Sequence, residues 1–134
     1  MPTITVHDQS TTGKSTGHLT LDFLTETITI RELIRSRVYQ EVQDFNLAQR
    51  TAPTQTFHGL VQPTDTEATL NGYKLKAPRQ IDWKPQFQKA CEAFQRNSIL
   101  VLIGDHQVTS LDEEVILRTD TQATFLKLVP LVGG

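Results

Sequence analysis

Ser98-Ile99-Leu100-Val101-Leu102-Ile103-Gly104-Asp105-His106-Gln107-Val108 is the stretch on which the fold turns. Uninterrupted β-formers from Ile99 to Ile103 read as a central strand covered on both faces. Gly104-Asp105-His106 then turns the chain into a short strand over Gln107-Val108-Thr109. Downstream, the acidic half-turn Leu111-Asp112-Glu113-Glu114 leads through Val115-Ile116-Leu117 and a polar turn at Thr119-Asp120-Thr121. A last strand follows over Thr124-Phe125-Leu126-Lys127-Leu128-Val129, then Pro130-Leu131-Val132 and Gly133-Gly134.

Upstream of the same stretch, a helix is expected from about Pro85 to Asn97. Proline fits its first turn, and Phe87, Ala90, Cys91 and Phe94 share one face. Before it, Thr51 to Trp83 is loop-rich, punctuated by Pro53, Pro63, Pro78 and the Asn71-Gly72 turn. His58-Gly59-Leu60-Val61-Gln62 and Gly72-Tyr73-Lys74-Leu75 read as short strands whose pairing the sequence leaves open. Farther back, Thr29 with Glu32 forms a capping-box pattern. It opens an amphipathic helix carrying Ile30, Leu33, Ile34, Val38, Val42 and Phe45 at helical spacing. At the start, Ile4 and Val6 alternate with polar residues, and Leu19, Leu21 and Phe23 do the same. Between these two runs, residues 9–17 are all turn chemistry, so the pair reads as a β-hairpin.

The order is hairpin, long helix, irregular segment with a second helix, then strand, short strand and last strand. That is an α+β layer in a single domain over 1–134, with 51–97 as an insertion and 130–134 as a flexible tail. A crossover through the long helix sets the first and last strands side by side and parallel, inside a mixed sheet.

Composition narrows the functional classes. Of 134 residues, 37% are apolar and 21% charged, which describes an ordinary soluble globule. The net charge of −2 gives no footing for a nucleic-acid surface, so protein partners are expected. Met1-Pro2-Thr3-Ile4 lacks the basic start and long apolar core of a secretory signal. A lone cysteine, Cys91, forms no internal disulfide, and a cytoplasmic location is expected.

Element order together with the diglycine resembles the ubiquitin-like β-grasp family, which includes prokaryotic sulfur carriers of molybdopterin and thiamine biosynthesis. Thr12-Gly13-Lys14 sits in the first hairpin turn, as a Thr-Gly-Lys turn does in ubiquitin. Leu102 to Val108 looks like the ubiquitin strand-turn-strand that follows its helix. Leu117 to Gly134, with Asp120 in the turn and Pro130-Leu131-Val132-Gly133-Gly134 behind it, is similar to a sulfur-carrier tail. The likeness covers roughly 3–50 and 98–134. Two departures stand out: the connection from about Thr51 to Asn97 is longer than the family's, and ubiquitin's arginines before the diglycine are replaced by Pro130, Leu131 and Val132. Both are compatible with divergent bacterial ubiquitin-like proteins encoded beside their own activating, conjugating and deconjugating enzymes.

The resemblance implies a modifier rather than an enzyme. Its chemistry would lie at the Gly134 carboxylate, with Gly133 as the unhindered neighbour and Pro130, Leu131 and Val132 as the tail that a partner groove reads. An activating enzyme using ATP and magnesium, a conjugating enzyme, a deconjugating protease and target lysines are the implied partners, with no cofactor bound by the chain itself. A C-terminal thiocarboxylate for sulfur transfer is the alternative, and a non-covalent interaction domain the second alternative. An apolar sheet-face patch for partners is expected at Val101, Ile103 and Leu128, subject to strand register.

Other motifs read as structure. Gly13-Lys14-Ser15 ends like a phosphate loop, yet Asp8 stands where that loop needs its first glycine, and a strand rather than a helix follows. Cys91, between Phe87 and Phe94 on an apolar face, reads as a buried small hydrophobe. His7, His18, His58 and His106 are scattered without metal-ligand spacing, and no metal is assigned. Asp112-Glu113-Glu114 reads as a solvated turn.

Overall fold

The computed structural model describes residues 2–10, 15–48, 56–57, 60, 66–69, 72–75 and 81–128. In chain order the elements are β1 (Thr3–Ser10), β2 (Ser15–Asp22), β3 (Thr27–Thr29), α1 (Ile30–Ala48), β4 (Thr56–Phe57), β5 (Thr66–Thr69), β6 (Gly72–Leu75), α2 (Trp83–Gln95), β7 (Ile99–Ile103), β8 (His106–Val108), β9 (Glu114–Ile116) and β10 (Gln122–Lys127). Among the described residues the protein is α+β, with a mixed sheet and two helices. It divides into two compact units, Met1–Leu33 with Cys91–Gly134, and Ile34–Ala90. α1 begins in the first unit and continues in the second, and α2 begins in the second and ends in the first.

The first unit is built on a five-stranded sheet in the order β2-β1-β10-β7-β8. β1 and β2 form the expected hairpin, with Ile4 facing Leu21 and Val6 facing Leu19. β10 lies beside β1 and parallel to it, with Val6 against Ala123 and Asp8 against Phe125. On its other side β10 meets β7 antiparallel, pairing Phe125 with Val101, and β7 meets β8, pairing Val101 with Val108. One face of these strands is therefore a continuous apolar surface. Ile4, Val6, Val101, Val108, Ala123 and Phe125 are all essentially inaccessible to water. Burying each of the larger ones stabilises the fold by about 1.5–3 kcal/mol.

β7 corrects one expectation. Ile99 and Val101 are buried, whereas Leu100, Leu102 and Ile103 are only half-buried. A run of five β-formers here marks a strand covered fully on one face, not on two. Leucine at two consecutive outward positions hides the alternation that would have revealed it.

A small second sheet pairs β3 with β9 and sets Ile28 against Val115, both buried. It carries the chain directly into α1. The Glu32 N–H donates to Thr29 Oγ1 at 3.2 Å, which is the cap read from the sequence. Two further first-turn groups are satisfied from the acidic turn: Ile30 N–H donates to the Glu113 carbonyl (3.0 Å) and Arg31 N–H to the Leu111 carbonyl (2.9 Å). Residues 111–113 thus cap a helix with their backbone, a task their charges do not announce.

Gly104 has φ +59° in the two-residue β7–β8 turn, a left-handed angle that glycine adopts without Cβ strain. α2 ends in a matching way. Asn97 is left-handed (φ 61°), its N–H donates to the Phe94 carbonyl at 3.1 Å, and Ser98 N–H donates to the Ala93 carbonyl at 2.9 Å. Those two bonds are a Schellman closure, with asparagine where glycine is commonest.

In the second unit a three-stranded sheet in the order β4-β6-β5 contains the expected strand Gly72–Leu75 as β6, paired with Thr56–Phe57 and Thr66–Thr69, whereas the expected strand His58–Gln62 lies, apart from Leu60, outside the described residues. Asn46 reads both backbone groups of one residue: Ile81 N–H donates to its Oδ1 (2.9 Å) and its Nδ2 donates to the Ile81 carbonyl (3.0 Å). Arg37 is 2% exposed, and its guanidinium lies 2.7 Å from the Glu41 carboxylate one helical turn on. Glu41 also accepts the Leu60 N–H at 3.0 Å. On α2 the expected residues Ala90, Cys91 and Phe94 are buried, but near its start Gln86 is buried and Phe87 only half-buried.

Two outcomes are expected. Asn97→Gly stabilises by up to about 1 kcal/mol, whereas Asn97→Val destabilises by about 1–2 kcal/mol, read as opposite shifts in the urea midpoint. Arg37→Ala costs about 3–5 kcal/mol because it strands a part-buried carboxylate. The Arg37→Met, Glu41→Gln double variant recovers part of that loss in the same assay.

Candidate functional site

The chain leaves β10 at Lys127, in register with Ser10 of β1 and Ile99 of β7. Leu128 N–H continues the ladder by donating to the Ser98 carbonyl at 3.0 Å. Whatever follows therefore departs from the middle of the sheet, at the end where β1 runs into the hairpin turn. Pro130, Leu131, Val132, Gly133 and Gly134 lie outside the described residues, so the geometry of the expected attachment point and tail is not described.

The expected sheet-face patch is rearranged. Val101 is fully buried, facing Phe125 and Val108 on the core side, and it drops out of any partner surface. Ile103 is half-buried and lies on that same side by strand alternation. Leu128 is 36% exposed and continues the opposite row. The three residues do not share a surface. Leu128 instead shares the outer face with Leu100 and Leu102 of β7 and Leu126 of β10, where Leu126 is directly opposite Leu100 and Thr124 opposite Leu102. Leu100, Leu102 and Leu126 are half-buried. The decisive physical fact is the period of two: placing Phe125 and Val101 inside turns the even-numbered residues of β7 and β10 outward.

Other candidates take structural places. Ser15 opens strand β2, so the Gly13-Lys14-Ser15 run is followed by β-structure, not by the helix a phosphate loop requires. Asp112 lies 3.2 Å from Arg31 as an exposed pair, and Glu113 Oε2 lies 3.2 Å from His106 Nε2. Exposed pairs of this kind contribute roughly 0–1 kcal/mol. Cys91 is buried near the end of α2. Burial pushes its thiol pKa above the ordinary value, with the Arg31 charge acting against that shift and the Glu92 charge adding to it. A thiol held neutral in this way is a poor nucleophile.

Among the described residues no group of three or more His, Cys, Asp or Glu is placed to hold a metal ion. Among them, too, no helix is long and apolar enough to cross a membrane. A shallow groove in the first unit is lined by Pro2, Glu26, Ile116, Leu117, Arg118 and Thr119 and holds no nucleophile beside a base. In the second unit a partly exposed aromatic group forms on the two helices. Arg35 sits 5.3 Å over the Trp83 ring, and Tyr39 meets Trp83 edge to face at 5.6 Å. No family model matches the chain, and comparison with curated proteins and with solved structures gives no match.

The Cys91 environment fixes a pH dependence. Its folded-state pKa is raised, so the contribution to stability is complete below the range where an unfolded thiol ionises and is lost as pH rises through the folded value. Cys91→Ala is expected to flatten the alkaline loss of stability seen in urea titrations at a series of pH values. A thiol reagent should label native Cys91 at least about tenfold more slowly than the urea-unfolded chain.

Proposed function

We propose that the protein is a ubiquitin-like modifier of β-grasp fold, activated at the Gly134 carboxylate by a cognate adenylating enzyme and conjugated to lysines of target proteins. The observation that carries this reading is the sheet order. A hairpin, a helix opened by a threonine cap and a return strand place β10 between the hairpin and β7, parallel to β1. That is the arrangement the family resemblance calls for, with the last described strand at the centre of the sheet.

The chemistry follows from the inertness of a carboxylate in water. The Gly134 carboxylate attacks the α-phosphate of an activating enzyme's ATP, releasing pyrophosphate and leaving an acyl-adenylate. A partner cysteine thiolate then displaces AMP to give a thioester. A lysine amine displaces that thiolate, loses a proton and closes an isopeptide bond. The activating and ligating enzymes supply charge stabilisation and nucleophile. The protein supplies an acyl group with no side chain beside it and a surface for docking, for which Leu100, Leu102 and Leu126 are the accessible apolar choice. The Pro130-Leu131-Val132 tail, which is similar to that of sulfur carriers, favours thiocarboxylate formation as the second reading.

The test is expression in the native host with neighbouring genes intact, followed by mass spectrometry. Conjugates whose isopeptide maps to Gly134 are expected, and removal of Gly133-Gly134 should abolish them without changing the melting temperature. A mass gain equal to one sulfur in place of one oxygen at the C-terminus would establish the second reading instead. A chain whose final residue is never modified under those conditions would overturn both.

A further inference from the structure

His7 and His18, on the two strands of one hairpin, are directly opposite each other across β1 and β2. The kind of pair they form can be counted from one bond. Phe23 N–H donates to the Pro2 carbonyl at 2.9 Å, one step beyond the Thr3–Asp22 pair, so Pro2 and Phe23 form a hydrogen-bonded position. Antiparallel pairs alternate between hydrogen-bonded and non-hydrogen-bonded positions. Ile4–Leu21 and Val6–Leu19 are then hydrogen-bonded, while Thr5–Thr20 and His7–His18 are not. Non-hydrogen-bonded positions bring the two Cα atoms to about 4.5 Å and the side chains closest together. Accordingly the two imidazole centres lie 6.2 Å apart, tilted by 39°.

Both rings lie on the outer face, because Ile4 and Val6 of β1 fill the inner one. His18 is exposed and His7 half-buried. The residues beside them in the strand register are Thr5, Thr20 and Thr124, none of them cationic. With metal–nitrogen bonds of about 2.0–2.1 Å and a near-tetrahedral angle, two imidazole centres stand roughly 5 Å apart. The observed 6.2 Å differs from that separation by only about 1 Å.

We propose that His7 and His18 chelate one late first-row divalent transition-metal ion of the zinc class, each through one ring nitrogen, with water in the remaining positions. Imidazole nitrogens suit zinc, nickel and copper and not the oxygen-seeking magnesium or calcium, which sets the selectivity. The bound ion bridges β1 and β2 and stabilises the hairpin to the extent that the folded chain, which holds both rings together, binds it more tightly than the unfolded one. The site is independent of Gly134 and stands or falls separately from the proposed conjugation.

The experiment is titration of the tag-free, full-length chain with zinc chloride alone, followed by calorimetry and by NMR of the histidine rings. One ion per chain is expected. Ring shifts should fall on His7 and His18 and leave His106 in place, the melting temperature should rise, and magnesium should have no effect. His7→Asn and His18→Asn should each lower zinc affinity by at least about tenfold, whereas His106→Asn should not. Circular dichroism checks that the variants fold, and the wild-type ring shifts decide the matter even where one does not. Absence of zinc-induced shifts at His7 and His18, or zinc binding undiminished in the folded double variant, overturns the proposal.

Discussion

The parallel pairing of β1 with β10 is the constraint on which the first unit depends. It joins residues from opposite ends of the chain, Val6 to Ala123 and Asp8 to Phe125, in the centre of a five-stranded sheet. β10 is the strand that holds the hairpin and the β7–β8 pair in one sheet, so losing it would leave two separate ribbons. A two-stranded ribbon is marginal alone in water. The entropy of bringing such distant segments together is met only when the apolar row through Phe125, Val101 and Val108 is buried. Folding is accordingly dominated by non-local contacts, the situation in which formation is slow relative to helical proteins of the same length.

Around that pairing, polar interactions mostly finish local structure. The α1 start receives three bonds: one from the Thr29 hydroxyl and two from carbonyls in the 111–113 turn. The exposed charges of the same turn add little, because water screens the Arg31–Asp112 pair. Arg37 and Glu41 are different, since a guanidinium withdrawn from water depends on its carboxylate neighbour. The same reasoning separates Cys91 from reactive thiols. Its surroundings favour the neutral form, which suits a packing role.

Function, on the proposed reading, uses the opposite side of this sheet and the chain beyond it. A modifier's chemistry is supplied by its partners, so its own requirements are an unhindered acyl group and a stable platform. The outer face offers Leu100, Leu102 and Leu126 in one cluster, and His7 with His18 beside Thr124 in the same surface. Both features arise from one register, set by the inner residues of the same strands.

The sequence by itself determined the elements whose signals are local. These include the hairpin alternation, the Thr29 cap and helical stripe of α1, the strand–Gly104–strand unit and the last strand. The parallel placement of first and last strands followed from their order and the helix between them. Two things were legible only in part: α2, where Gln86 rather than Phe87 is buried near the start, and β7, whose outward leucines mimic a fully buried strand. Tertiary structure alone decided which face Val101 occupies, that β3 pairs with β9, that the acidic turn caps α1, and that His7 meets His18. The cap depends on where a distant turn is brought in the fold, and the other three depend on strand pairing. A side chain's neighbours across a sheet depend on the register between segments distant in sequence. A shift of one residue exchanges the two faces without altering any local propensity.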